Sequence, residues 1–127
     1  LYTPKPFFDV GYHRFLGTWA WIMHRLAGLA LIFYLCLHIW IINTLTKGPE
    51  AFNGLMQFLG SPLFKYLEIG LWGVILFHAF NGMRIVAIDF FKGSLYHKKL
   101  FFILILFGVL LWLSGAVILI GHIGDHP

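Results

Sequence analysis

Three stretches of this chain, at about 21–45, 63–88 and 100–120, are apolar around the whole circumference of a helix, and the polar residues collect before and between them. A helix packed at the surface of a soluble domain shows an apolar stripe and a polar face. These stretches show no such division. Each meets the roughly 20 residues needed to cross a hydrocarbon core of ~30 Å. In lipid each must be helical, because every backbone N–H and C=O has to find its partner within the segment. A shorter pattern lies in the first connector, where Phe52, Leu55, Met56 and Leu59 recur at helical spacing behind Pro49 and Glu50. Proline in a first turn followed by an acid is a helix-start signal, so a short amphipathic helix lying in the membrane interface is predicted there.

Composition agrees with the pattern: of 127 residues 60% are hydrophobic and only 11% charged, with a mean hydropathy of +0.84. That is too little polar surface for a soluble domain of this size. The expectation is one membrane-anchor domain over residues 1–127, without repeats or low-complexity sequence. Cys36 is the only cysteine. An intrachain disulfide, a CxxC redox pair and a covalently attached c-type haem are therefore excluded. The first apolar run is too long, and has no small-residue cleavage site behind it, to read as a secretory signal.

Charge sets the expected orientation. Lys5, Arg14, Arg25, Arg84, Lys92, Lys98 and Lys99 fall on one side of the predicted spans, against Lys47 and Lys65 on the other. Short cytoplasmic loops are enriched in Lys and Arg, so the N-terminus is expected in the cytoplasm and the C-terminus outside. Trp19 and Trp21 suit an interfacial anchor at that side. The pI of about 9.4 follows from this asymmetry and does not call for nucleic acid.

Polar groups inside the spans carry the remaining information, since an arginine at a span centre costs roughly 2.5 to 3.5 kcal/mol on insertion scales. They are His24, Arg25 and His38 in the first span and His78, Asn81, Arg84 and Asp89 in the second. His24 and His38 are fourteen residues apart, which returns to nearly the same helix face about 21 Å further along. Gly82 stands one turn from His78, where a flat macrocycle or another helix can approach. A histidine nitrogen can ligate haem iron, and Arg25 and Arg84 can neutralise propionates or hold a quinone headgroup. Each residue also has a plainer reading. His78 and His38 can form interhelical hydrogen bonds. His24 and Arg25 can reach to headgroups, and Asp89 can pair with Lys92 at a helix end. His13, His97, His122 and His126 belong to loops or ends.

The order of two motifs narrows the choice: Trp21-Ile22-Met23-His24-Arg25-Leu26-Ala27-Gly28 opens the first span, and His78-Ala79-Phe80-Asn81-Gly82-Met83-Arg84 is followed by Asp89 in the second. From about Trp19 through the third span the chain resembles the cytochrome b membrane anchor of succinate:quinone oxidoreductase, that is, of succinate dehydrogenase or fumarate reductase, of the kind with separate three-helix anchor chains. The resemblance implies an all-α fold of three transmembrane helices in a bacterial-type inner membrane, forming half of a heteromeric haem-binding bundle. It implies His78 as an axial ligand of a haem b iron, with the opposite ligand on a second anchor subunit. Arg25 would border both the quinone and a haem propionate, His24 would lie on the propionate side, and Arg84 and Asp89 near the haem edge and the quinone pocket. In many family members a serine one turn before the arginine contacts the quinone. Trp21 stands there in this chain, so Trp21 or Thr18 is the expected substitute. Members with two haems use an outer histidine of the first helix, the position His38 would fill.

The implied partners are the second anchor subunit, an iron–sulfur subunit, a flavoprotein subunit, the bilayer and a quinone, either ubiquinone or menaquinone. The chain has no flavin motif and no cluster-ligating cysteines, so it performs no dicarboxylate chemistry itself. Two rival readings are a haem-free structural anchor and a cytochrome b anchor of another respiratory oxidoreductase.

Overall fold

A computed structural model of the chain describes residues 7–91 and 97–123. Lys5, Lys92 and His126, and the side chains of His13, Arg14 and His97, lie outside the described residues, as does the expected Asp89–Lys92 pair. The helices are α1 (Phe7–Asn43), α2 (Pro49–Leu59), α3 (Pro62–Phe90) and α4 (His97–Ile123), with a 3₁₀ turn at Thr44–Lys47 between α1 and α2. Three helical segments have the length and apolarity to cross a membrane, Gly17–Lys47, Pro62–Phe90 and Lys98–His122. They match the three predicted spans, and α2 is the predicted short helix.

The connections are fixed by residues that cannot continue a helix. Gly48 takes φ +101°, a conformation that strains any residue with a Cβ, and so re-aims the chain from the 3₁₀ turn into α2. Its N–H donates to the Leu45 carbonyl and its own carbonyl accepts from Phe52 N–H. At the far end of α2, Gly60 N–H donates to the Met56 carbonyl, Ser61 is extended, and Pro62 begins α3 at a position where a missing N–H costs nothing.

Helix α3 is central, packing against α1 on one side and α4 on the other. Ala20 on α1 lies beside Asn81 on α3, and Gly28 beside His78, so residue numbers rise on one helix as they fall on the other. The same holds between α3 and α4, where Gly73 meets Trp112 and Gly108 meets Phe80. The three spans therefore run up, down and up. Two tryptophans lock the second pair: Trp112 Nε1–H donates to the Ile69 carbonyl at 3.0 Å, and Trp72 Nε1–H to the Leu111 carbonyl at 3.3 Å. Each indole fits over a glycine of the opposite helix, Trp112 over Gly73 and Trp72 over Gly115. Side chain and notch are exchanged in both directions, which brings the helices close without a hydrophobic driving force between them.

Little else is enclosed. Among the described residues the buried apolar side chains are Ala20, Ala27, Ile69, Leu76 and Ala116, and large residues such as Phe33, Phe90 and Val117 face outward. This distribution is inverted relative to a soluble domain and suits lipid or another helix as the surrounding medium.

Candidate haem and quinone site

The candidate residues gather where the N-terminal half of α1 crosses the C-terminal half of α3. Small residues make the crossing tight, since Ala20 and Ala27 are buried and a Cβ placed on Gly28 would stand 3.2 Å from His78 Cε1. Into that space α1 and α3 each send a histidine. The His24 and His78 rings stack with centroids 4.1 Å apart and planes 4° from parallel. Gly82 lies beside the His24 ring, although a Cβ there would meet His24 Cε1 at 3.6 Å, an ordinary contact that does not require glycine. The helix that approaches at this position is α1, through the His24 ring.

His78 Nδ1 lies 3.3 Å from the His24 backbone oxygen. The tautomer protonated on Nδ1 donates there, orienting the ring and leaving Nε2 with the lone pair a metal needs. The donor chemistry of His78 therefore fits an axial haem ligand.

One turn further along α3, Asn81 is 6% exposed and its Nδ2 donates to the Ala20 carbonyl at 3.4 Å. Arg84 lays its guanidinium over the Phe101 ring at 5.1 Å. Three buried polar atoms at this level, His24 Nδ1, Asn81 Oδ1 and Arg84 Nε, find no hydrogen-bond partner among the described residues. In an apolar medium such atoms are costly until something pairs with them.

Arg25 points elsewhere. One residue round the helix from His24, it is exposed and stacks on Trp21, the guanidinium carbon 4.2 Å from the ring centroid. Thr18, Trp21 and Arg25 follow one another at three and four residues along α1, so they form a stripe on its outer side. All three are exposed. The residue standing in the serine position is thus a platform for the arginine. Asp89 is exposed near the end of α3, eight residues beyond Asn81, about 12 Å further along the helix axis. His38 is exposed, its ring tilted 35° against Tyr34 at 5.6 Å. The structure brings together His24, His78, Gly82, Asn81 and Arg84, sets Thr18, Trp21 and Arg25 on an adjoining face, and leaves Asp89 and His38 apart from both.

Sequence reasoning used Gly28 only as part of a motif, without a packing role, and gave no role to Trp72 or Trp112. The signal for the tryptophans was present, in a Trp beside Gly73 on one span and a Trp three residues before Gly115 on the next.

Comparison with known proteins identifies the family. The family of succinate dehydrogenase/fumarate reductase transmembrane subunits matches residues 6–117. The succinate dehydrogenase 2 membrane subunit SdhC of Mycobacterium tuberculosis is 31% identical over 111 residues, which is 87% of this chain and 82% of the relative. A succinate dehydrogenase hydrophobic membrane anchor subunit of Halobacterium salinarum is 35% identical over 107 residues, 83% of this chain and 82% of the relative. The chain therefore belongs to the succinate dehydrogenase/fumarate reductase transmembrane subunit family and is a multi-pass membrane-anchor subunit of that kind of complex.

Proposed function

We propose that this anchor is a cytochrome b subunit, holding haem b through His78 and forming one wall of the quinone pocket around Arg25. The observation that carries the reading is the contact of His78 Nδ1 with the His24 carbonyl. Metal-ligating histidines characteristically donate their second nitrogen in this way, which fixes tautomer and ring plane. His24 Nδ1, buried and unpartnered, is suited to a haem propionate. Haem b bound there supplies one-electron transfer between the iron–sulfur subunit and the quinone. The remaining work falls to the chain's own groups. Arg25, held by Trp21, offers guanidinium N–H groups to a quinone oxygen and stabilises negative charge there as electrons arrive. Thr18 adds a hydroxyl donor on the same stripe, and Asp89 at the membrane edge is a candidate proton source.

In this reading the second axial ligand comes from the second anchor subunit, and the iron–sulfur and flavoprotein subunits dock on the basic, N-terminal side. His38 would ligate a second haem in the outer half of the membrane, its exposure being suited to a ligand shared with a neighbouring chain.

A haem-free structural anchor is the second reading, favoured by the fact that the His78 contact is itself a tie between helices. A pyridine-haemochrome count on the purified complex separates the two. The His78→Ala complex is expected to lose a haem that wild type contains, and His38→Ala to lose a second one if two are present. A wild-type complex without a Soret band, or unchanged haem content in His78→Ala, would sink the cytochrome reading. For Asp89, normal quinone reduction by Asp89→Asn would remove it from the proton path.

A further inference from the structure

Below the tryptophan clasp, α3 and α4 part to leave a cleft of about 240 Å³. Trp112 and Gly73 close one end, apolar side chains including Leu76, Phe80 and Ile105 line the length, and Asn81 and Arg84 stand at the other end. By volume it has room for about eight waters, but a space with such walls stays dry and takes an apolar guest. From Gly73 to Arg84 is eleven residues, about 16 Å of helix, or half of a ~30 Å hydrocarbon core. That is the depth of a single leaflet.

The polar end defines what enters with the apolar guest. Arg84 Nε–H lacks an acceptor and Asn81 Oδ1 lacks a donor among the described residues, although Asn81 is more than nine-tenths buried. Lys98 and Lys99, exposed in the first turn of α4, belong to this same end, so an anion is favoured. We propose that the α3/α4 cleft binds an anionic phospholipid of that leaflet, one acyl chain running from Arg84 to Trp112. The phosphate accepts from Arg84 Nε–H and from a water whose other hydrogen goes to Asn81 Oδ1, which satisfies both orphaned atoms. This occupant is distinct from any haem or quinone: the cleft lies between α3 and α4, whereas His78 faces α1 and Arg25 lies on the outer side of α1.

The test uses the assembled membrane complex in nanodiscs of equimolar phosphatidylglycerol and phosphatidylcholine, re-extracted in mild detergent, with the retained lipid identified by native mass spectrometry. Wild type is expected to keep phosphatidylglycerol selectively. Arg84→Gln should lower its retention about five-fold, the effect of one surface-level cation. Val109→Phe, which fills the cleft and leaves Arg84 in place, should also lower it, while Lys65→Gln at the opposite end should not. Equal retention of phosphatidylcholine, retention unaffected by Val109→Phe, or a quinone or no lipid in the cleft would each overturn the proposal.

Discussion

Arg25 and Trp21 are one helical turn apart, and the indole covers one face of the guanidinium while leaving its edge free. A cation–π contact of this kind contributes about 0.5–1 kcal/mol when exposed and about 2 when desolvated. Trp21→Ala is therefore expected to raise the quinone KM by a factor of about 2 to 30, with the larger value if the pocket is dry. Succinate oxidation by a soluble dye, which bypasses this chain, should not change. Trp21→Phe should retain most of the wild-type behaviour, and a loss as large as that of alanine would mean that the indole N–H and not the ring face matters. The motif around Arg25 was legible in the sequence because charge in a span is rare. The stacking of Trp21 on Arg25 was not, because what a tryptophan covers depends on rotamer and neighbour. Gly28 was hidden for a related reason, since the need for a missing Cβ becomes visible only when His78 is placed 3.2 Å from where it would be.

At the scale of elements, hydropathy located all three spans and the proline and acid at the start of α2 located the short helix, because those features act within one segment. Pairing between helices is different, since in lipid it rests on shape and on a few hydrogen bonds that no periodicity displays. The Trp112 bond to the Ile69 carbonyl is of this type. Trp112→Phe, which keeps a ring over Gly73 but removes the N–H, should lower stability in detergent by about 0.6 kcal/mol and by no more than ~1.7. Gly115→Leu should be far more disruptive, because a side chain there overlaps the Trp72 indole. Comparable melting of the two variants would show that notch and bond do not act as described. The turn into α2 offers a separate check at Gly48, where φ is +101°. Gly48→Ala should destabilise by about 1–3 kcal/mol, read as a lower unfolding midpoint with unchanged helix content.

At the scale of the whole molecule, the up, down, up order of the spans puts Arg25, Arg84, Lys98 and Lys99 toward one membrane face and Lys47 and Lys65 toward the other. The bias of short loops predicts that the first face is cytoplasmic, where positive charge would also receive soluble partner subunits. Orientation can be read by thiol labelling. Cys36 lies within the first span and is the only cysteine, so a Cys36→Ser background carries no thiol, and single Lys47→Cys and Lys98→Cys variants report on opposite faces. In intact cells made permeable at the outer boundary only, a membrane-impermeant maleimide is expected to label Lys47→Cys and to leave Lys98→Cys unlabelled until the inner membrane is opened. The reverse order would invert the chain, placing Arg25 and the proposed quinone stripe away from the cytoplasm. Iron–sulfur and flavoprotein subunits docked on the cytoplasmic side would then face Lys47 and α2, and the proposed route of electrons past Arg25 would have to be abandoned.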